Sequence, residues 1–253
     1  MSRSMRIGGP APSPPINPMT DFHNALGQRV GFPVRDWRPP PAPAGIALHG
    51  DYCRLEKLNG DAHAQDLHTA YSSDTEHRIW SYLPYGPFGS IGDYRAWVDT
   101  QCSGDEPLFH AIIDGESNRA LGVASYLRIN PRDGTIEVGH VNYSPLLQKT
   151  IMATEAMFLL MRHAFDDLGY RRYEWKCDAL NENSRTAALR LGFTFEGIFR
   201  QATMYRQRNR DTAWYSIIDL EWPKLRIAYE KWLSQDNFEH GSQKKRLSEF
   251  LPE

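Results

Sequence analysis

Residues 145–193 read PLLQKTIMATEAMFLLMRHAFDDLGYRRYEWKCDALNENSRTAALRLGF. A helix is predicted to begin just after Gln148, and a strand to follow over Tyr170–Asp178. A second, shorter helix is predicted to open at Asn181–Ser184 and to stop at Gly192. The N-terminus of the first helix exposes backbone N–H groups that have no intrahelical acceptor, so it offers a site for an anion.

Composition excludes several functional classes. The 253 residues, 41% of them hydrophobic, suit one domain of average size plus tails. A net charge of −2 gives no electrostatic case for nucleic acid. No apolar run approaches the ~20 residues of a membrane helix, and the polar, proline-rich start does not resemble a signal peptide. Three widely spaced cysteines and nine scattered histidines predict buried free thiols in a cytoplasmic protein without a metal site.

Three parts are expected along the chain. Ten of the 17 prolines lie before residue 44, so residues 1–47 are predicted to form an extended tail or strap, with Met19 as an alternative start. Residues 48–222 carry the pattern of one folded domain. Residues 223–253 are expected to form a short amphipathic helix followed by a frayed polar tail.

Periodicity and turn signals in the folded part predict strands that alternate with helices. The helix over residues 149–168 is apolar on several faces, so we expect other elements to cover it on two sides. We expect Gly169 to stop this helix and Ser90 to cap an earlier one. The predicted strands are Leu48–Leu58, Leu108–Ile113, Leu121–Ile129, Thr135–Tyr143, Tyr170–Asp178 and a hairpin of Phe193–Phe199 with Thr212–Leu220. The predicted helices are 61–71, 90–101, 149–168, 181–191 and 224–233.

This order of elements resembles the GNAT N-acetyltransferases, and within them the branch that includes the ribosomal-protein N-terminal acetyltransferases. The resemblance covers roughly residues 48–222. Its most specific part is Asn183-Ser184 with Leu191-Gly192-Phe193 eight residues on. The resemblance implies an α/β (α+β) fold, in which a mixed, mostly antiparallel twisted sheet of about seven strands is flanked by helices on both faces.

Acetyl-CoA (coenzyme A) is the cofactor that the resemblance implies. Its pyrophosphate is expected at the loop that opens the first helix. Ile151 stands where the family has a glycine that lets the backbone approach the phosphates closely. Lys149 and Thr150 add a charge and a hydroxyl, although they are alternatively the start of an ordinary core helix. The residues expected at the cofactor here are Gln148, Lys149, Thr150, Ile151, Met152, Ala153 and Thr154.

Asn183 and Ser184 match family positions that meet the pantetheine and thiol end of the cofactor. An asparagine carboxamide both donates to and accepts from amides. Helix N-capping is the alternative role for both residues. Asn181 is the better cap candidate, which leaves Asn183 and Ser184 for the ligand.

Acetyl transfer to an amine needs a base, a donor for the carbonyl oxygen and a proton for the departing thiolate. Glu137 matches the family's usual base position, whereas His140 has an ordinary pKa closer to neutral pH. Strict alternation puts these two residues on opposite faces of the strand Thr135–Tyr143. Family members carry a bulge in this strand, and a bulge breaks the alternation. Both residues therefore remain candidates for the base.

The other two roles fall on neighbouring elements. A backbone N–H near Asn142 and Tyr143 is expected to hold the polarised carbonyl. The tyrosine acid of many family members falls at Ala188, so Ser184 or a water is expected to protonate the thiolate. The ribosomal-protein branch lacks that tyrosine too.

Two other segments have alternative interpretations. The loop Arg206–Arg210 is interpreted as a solvated hairpin tip rather than an anion site. Four aromatic residues lie where the family shapes its acceptor pocket, and packing under a loop is an equal alternative. These residues are Trp80, Tyr82, Tyr85 and Phe88.

The predicted function is acetyl-CoA-dependent transfer of an acetyl group to a primary amine of a small molecule, amino acid, peptide or protein N-terminus. The alternative is a non-catalytic acyl-CoA-binding sensor or interaction module, which Ile151 and Ala188 favour. Neither a nucleic acid nor a membrane is expected as a partner, and a homodimer is left open.

Overall fold

The computed structural model describes residues 21–239 and 242–252. The proline cluster Gly9–Pro18 of the predicted strap lies outside these residues. The chain divides into two units between Arg38 and Pro39.

The described part of the first unit contains a small hairpin. Strand β1 (Phe22–His23) pairs antiparallel with β2 (Arg29–Val30). The Asn24 carboxamide oxygen accepts from the N–H groups of Leu26 and Gln28 inside the turn. In the sequence, this hairpin lies between the proline clusters Gly9–Pro18 and Pro39–Pro43, on which the prediction of an extended strap rests.

The second unit is built on one sheet of eight strands. They are β3 (Leu48–His49), β4 (Cys53–Lys57), β5 (Leu108–Asp114), β6 (Ala120–Asn130), β7 (Thr135–Tyr143), β8 (Arg172–Asp178), β9 (Thr194–Tyr205) and β10 (Arg208–Ile218). Their spatial order is β3-β4-β5-β6-β7-β8-β10-β9. All neighbours are antiparallel except β7 and β8, which are parallel. The mixed, mostly antiparallel sheet is confirmed, and the predicted first strand forms two short strands.

Helices cover both faces of this sheet. They are α1 (Gly60–Tyr71), α2 (Ile91–Gln101), α3 (Ile151–Arg162), α4 (Glu182–Arg190) and α5 (Trp222–Leu233). Alternate residues of β5 belong to two separate hydrophobic clusters. Phe109, Ala111 and Ile113 pack with α1 and α2, whereas Leu108 and Ile112 pack with α3 and α5.

Helix α3 is shorter than predicted. It ends at Arg162, and the chain continues as a π-helical turn over His163–Asp167 before Gly169, whose φ is +84°. Every residue of Thr154–Met161 is buried. This confirms that the helix is covered on two sides.

The C-terminal segment is packed rather than frayed, which corrects the sequence-based expectation. After α5, β11 (Phe238–Glu239) pairs with β12 (Ser242–Gln243). Leu247 is buried, and Phe250 and Leu251 pack against the main core. These apolar side chains pack against the core although charged residues surround them in the sequence.

Candidate active site

Strands β7 and β8 separate part of the way along their length. They pair from Thr135 with Arg172 to Val138 with Trp175, and the pairing stops there. The remaining halves of both strands keep an open edge, so a wedge-shaped gap lies between them. Backbone groups at an unpaired edge are available to a ligand that lies in the gap.

Tyr143 presents its backbone to this gap. The N–H of Ser144 donates to the Leu121 carbonyl on β6, 3.1 Å away. Because successive residues of a strand point in opposite directions, the Tyr143 N–H lies on the side of the gap, while that of Asn142 faces β6. The Gln148 side chain donates to the Tyr143 carbonyl over 2.9 Å, which places Gln148 at the same edge.

Asn142 contributes a buried polar atom. Its side chain is 2% exposed, and among the described residues its Oδ1 has no hydrogen-bond partner. Buried carboxamide oxygens without a partner are costly in a folded protein. A ligand amide in the gap is one way to satisfy this oxygen.

The bulge expected in β7 is present at His140. Two residues, His140 and Val141, separate the pairs Gly139–Ser125 and Asn142–Val123, where β6 has one residue. The φ of His140 is +49°, a left-handed conformation that is uncommon for any residue but glycine. The bulge re-aims the His140 side chain relative to strict alternation.

Aromatic rings surround His140. Its Nδ1 lies 3.2 Å from the Tyr85 hydroxyl, and the two rings are stacked with centroids 5.6 Å apart. The Phe109 ring lies 5.1 Å away. Burial lowers the pKa of His140 to about 4, and the cations of Arg128 and Arg210 add to this effect. The imidazole is therefore neutral near pH 7.

Glu137, the other candidate base, is held by two cations. Its Oε1 lies 2.7 Å from Arg128 Nη1 and its Oε2 lies 2.8 Å from Lys176 Nζ. Lys176 also lies 2.7 Å from Glu174 Oε2. Both oxygens of this buried carboxylate lie in ion pairs with cations, although Oε2 makes no hydrogen bond among the described residues. Because cations disfavour protonation of a carboxylate, Glu137 is less well placed than His140 to take a proton.

The ion pairs continue across the same face of the sheet. Arg172 Nε lies 2.6 Å from Glu174 Oε1, and its two terminal nitrogens bind both oxygens of Glu196 at 2.7 and 2.5 Å. The hydrogen bonds from Arg172 hold the pKa of Glu196 below its ordinary value. This chain of charges links β7, β8 and β9.

The N-terminus of α3 lies next to the open edge of β7. The Thr150 hydroxyl caps the helix by accepting from the Ala153 N–H at 3.2 Å, and it donates to the Leu147 carbonyl. The N–H groups of Ile151 and Met152 belong to the first turn and have no intrahelical acceptor. Together with the helix dipole, they suit a phosphate.

Ile151 does not strain this loop. It lies within the helix, and the residue with a left-handed φ is Lys149, at +61°. The loop therefore keeps its shape without the family's glycine, although the Ile151 side chain adds bulk beside the phosphate position.

Thr154 and Glu155 face away from that loop surface. The Thr154 hydroxyl is buried and accepts from Arg190 Nη2 at 3.0 Å. The Glu155 carboxylate accepts from the backbone N–H groups of Asp51, Tyr52 and Cys53 at 2.7–2.8 Å. The structure therefore gives Thr154 a contact with α4 rather than an open path to a ligand.

Helix α4 presents its first turn to the other side of the gap. Asn181 is the cap, because its Oδ1 accepts from the Ser184 N–H at 3.1 Å. Asn183 is exposed. The Ser184 hydroxyl accepts from Trp175 Nε1 at 3.0 Å and lies beside the Cys177 thiol, whose pKa is raised by burial. The prediction that Asn181 is the cap is confirmed, and Asn183 stays free of a capping role.

The β9–β10 hairpin is longer than predicted, and its tip is tied to the aromatic segment. Arg206 donates to the Tyr85 carbonyl at 2.7 Å and to the Gly86 carbonyl. The Tyr205 hydroxyl donates to Asp178 Oδ2 at 2.9 Å, at the end of β8. Residues 206–209 are exposed, as predicted for a solvated tip, but Arg206 also joins the tip to the aromatic segment.

The four aromatic residues of the acceptor segment separate into two groups. Trp80 and Phe88 pack in the cluster beneath α1 and α2. Tyr85 contacts His140, and the Tyr82 hydroxyl donates to the Leu180 carbonyl beside α4. Through these contacts Tyr82 and Tyr85 reach elements that flank the gap, although Tyr85 also packs against the same cluster as Trp80 and Phe88.

Among the described residues, no group of three histidine, cysteine, aspartate or glutamate side chains could hold a metal ion. In the same part of the chain, no helix has the length and apolar character needed to span a bilayer. All three cysteines are buried and unpaired, as predicted.

Comparisons with known proteins agree with this geometry. A family model described as the acetyltransferase (GNAT) domain matches residues 54–194. A GCN5-related N-acetyltransferase from Brucella melitensis is 44% identical with a TM-score of 0.84, covering 86% of this chain and 99% of that one. A probable GNAT-family acetyltransferase from Chromobacterium violaceum ATCC 12472 is 37% identical with a TM-score of 0.72, covering 83% and 100%. The ribosomal-protein-serine acetyltransferase of Escherichia coli (strain K12) is 33% identical over 106 residues, which is 41% of this chain and 58% of that protein.

Proposed function

We propose that this chain, which belongs to the GNAT acetyltransferase family, transfers the acetyl group of acetyl-CoA directly to a primary amine. The observation that carries the proposal is the gap between β7 and β8, with an open strand edge on each side and the N-terminus of α3 at one end. Acetyl-CoA supplies an activated thioester. That the protein is cytoplasmic remains a prediction, and whether it forms a homodimer remains open.

The residues around the gap fit acetyl-CoA. The first-turn N–H groups of Ile151 and Met152, with Lys149, would hold the pyrophosphate. The orphaned Oδ1 of Asn142 and the exposed carboxamide of Asn183 suit the amide groups of pantetheine. The Gln148 side chain donates to the Tyr143 carbonyl at the open edge of β7, so we do not assign it to the phosphates.

The Tyr143 N–H is the donor proposed for the thioester carbonyl. Its position at the open edge lets it stabilise the negative charge that grows on the oxygen as the amine attacks. Binding both reactants in the gap makes their reaction effectively unimolecular and aligns the reacting atoms. This can lower the activation barrier by up to ~7–11 kcal/mol.

We assign His140 as the general base that takes the proton from the amine. In the neutral ring one nitrogen carries a proton and the other accepts one. If Nδ1–H donates to the Tyr85 oxygen, Nε2 is left to accept the proton of the attacking amine. The departing thiolate takes its proton from Ser184 or a water, because Ala188 offers none.

Removing the Tyr85 hydroxyl is expected to reduce turnover. The Tyr85→Phe variant keeps the stacked ring but no longer holds His140 in one tautomer, so kcat should fall by roughly 10-fold with little change in the affinity for acetyl-CoA. Steady-state kinetics measure the first quantity and calorimetry the second. An unchanged kcat would exclude this role, and Tyr82→Phe is a control from the same segment.

Replacing Asn183 with alanine is expected to weaken cofactor binding. Loss of one or two hydrogen bonds to pantetheine should raise the Kd of coenzyme A by roughly 10-fold. Because Asn181 caps α4, the melting temperature should change little. The control is Asn181→Ala, which should lower the melting temperature, and an unchanged Kd for Asn183→Ala would remove Asn183 from the site.

Calorimetry and a thiol-release assay test the function as a whole. Acetyl-CoA and desulfo-CoA should both bind, and a panel of primary amines should include acceptors that cause thiol release. If neither ligand binds, the enzymatic proposal fails. Binding of both ligands without thiol release for any amine would instead support a sensor.

A further inference from the structure

The β9–β10 hairpin carries positive charge that the proposed mechanism does not use. Residues 200–211 include four arginines and one aspartate, in a chain whose net charge is −2. Arg206 binds backbone carbonyls at the aromatic segment. Three further arginines of this hairpin, Arg200, Arg208 and Arg210, are available to other ligands.

Arg210 stands apart from the other arginines of the hairpin by its surroundings. Its side chain is half-buried, and its Nε is buried with no hydrogen-bond partner among the described residues. In the same part of the chain, no carboxylate forms an ion pair with it. A buried guanidinium nitrogen without an acceptor is unfavourable, and an anionic ligand would supply the missing hydrogen-bond acceptor.

The position of Arg210 is set by a bulge. Pairing of β10 with β8 begins at Thr212 opposite Asp178, so Arg210 lies beyond the end of β8. The pairing of β10 with β9 shifts between Arg210 and Thr212. At this bulge Asp211 turns to the Gln201 N–H, at 2.7 Å, rather than to Arg210.

The charge of Arg210 acts on both sides of the gap. It disfavours a proton on His140, which lies on β7, and it favours the thiolate form of Cys177, which lies on β8. It also acts on Tyr205, at the hairpin tip. The geometry agrees with this, because Arg206 of the same hairpin binds the carbonyl of Tyr85, whose hydroxyl contacts His140, and because β10 pairs with the end of β8 two residues after Arg210.

We propose that the acetyl acceptor carries an anionic oxygen group, a carboxylate or a phosphate, near its reacting amine, and that Arg210 binds this anion. The inference rests on the proposed function and names the substrate class of the same site. A guanidinium presents a planar fork of N–H donors that matches such a group. An anion bound there also offsets the positive charge that opposes protonation of His140.

The same arrangement selects against cationic acceptors. A polyamine brings a second positive charge close to Arg210, and like charges at short distance disfavour binding. The structure therefore favours amino acids, or amines that carry a phosphate, over polyamines.

Matched pairs of acceptors test the inference in the full chain with acetyl-CoA. Tyrosine against tyramine tests the carboxylate, O-phosphoethanolamine against ethanolamine tests the phosphate, and spermidine is the cationic member. The wild type should favour the anionic member of at least one pair by about 100-fold in kcat/KM. Equal or better turnover of the neutral members of both pairs overturns this inference but leaves the proposed function intact.

Variants of the hairpin assign the preference to one residue. Arg210→Gln should lose about 100-fold in kcat/KM for the preferred anionic acceptor, and Arg210→Lys should recover part of it because the charge remains. Arg208→Gln, an exposed residue of the same hairpin, is the matched control and should keep the preference. Retention of the preference in Arg210→Gln overturns the role of Arg210.

A binding measurement separates the two possible failures. Calorimetry should show that Arg210→Gln binds acetyl-CoA like the wild type but loses affinity for the anionic acceptor in the presence of desulfo-CoA. If the wild type releases no thiol with any amine, the proposed function fails and this inference fails with it. Thiol release without charge preference contradicts this inference alone.

Discussion

Replacing His140 with asparagine is expected to lower kcat by about 10²–10⁴-fold, the range typical for loss of a general base. Asparagine is chosen because the φ of residue 140 is +49°, and asparagine tolerates the left-handed region better than most residues. The affinity for acetyl-CoA should change little, since His140 faces Tyr85 and Phe109 rather than the α3 loop. Single-turnover kinetics and calorimetry measure the two quantities.

The pH dependence gives a second readout for His140. Its pKa is lowered to about 4, so the ring stays neutral as the pH falls from 7 through the ordinary histidine range near 6.5. The loss of kcat/KM that this group causes should therefore appear only as the pH approaches about 4. That acidic limb should be absent from the residual activity of the asparagine variant. A limb centred near 6.5 would contradict the buried, cation-flanked environment.

Glu137→Gln is the control that decides between the two candidate bases. It removes a charge held by Arg128 and Lys176, so it should lower stability more than kcat. If Glu137→Gln abolishes turnover in a folded protein while His140→Asn does not, Glu137 is the base and His140 is not.

Local signals made much of the fold predictable. Helix caps and stops depend on one or two residues, and Ser90, Asn181 and Gly169 act as their residue types suggest. The sheet follows from strand patterning combined with the family resemblance. Its eighth strand arises where the predicted strand Leu48–Leu58 divides at a turn, which Gly50 and Asp51 mark in the sequence.

The base and the hairpin were harder to predict, because distant contacts decide them. Alternation along β7 could not choose between Glu137 and His140 until the bulge was located. The hairpin turn uses Arg206 and Gln207, both with positive φ, so the usual glycine or asparagine signal is absent. The surroundings of Arg210 depend on where β8 ends, and that is a property of the folded sheet.

The predicted change with the largest effect on stability is Glu155→Ala, which should lower the free energy of unfolding by about 3–5 kcal/mol. Glu155 is 3% exposed, and its carboxylate accepts three backbone N–H groups from the turn between β3 and β4 and from the first residue of β4. Removing it leaves these donors without a partner beside a new cavity. Denaturant unfolding measures the loss, and Glu155→Gln should lose less because it keeps one acceptor oxygen and the volume.

This effect should extend to cofactor binding. Glu155 joins the β3–β4 turn to the first turns of α3, and Gly50 leaves room for the contact, because a Cβ there would overlap the carboxylate. A loosened α3 N-terminus should raise the Kd of acetyl-CoA even in the folded fraction. Glu230→Ala is the control, since Glu230 lies on the exposed face of α5 and pairs with Arg226, and its loss should cost at most about 0.5 kcal/mol. If Glu155→Ala and Glu230→Ala unfold at the same denaturant concentration, the Glu155 contact does not anchor α3.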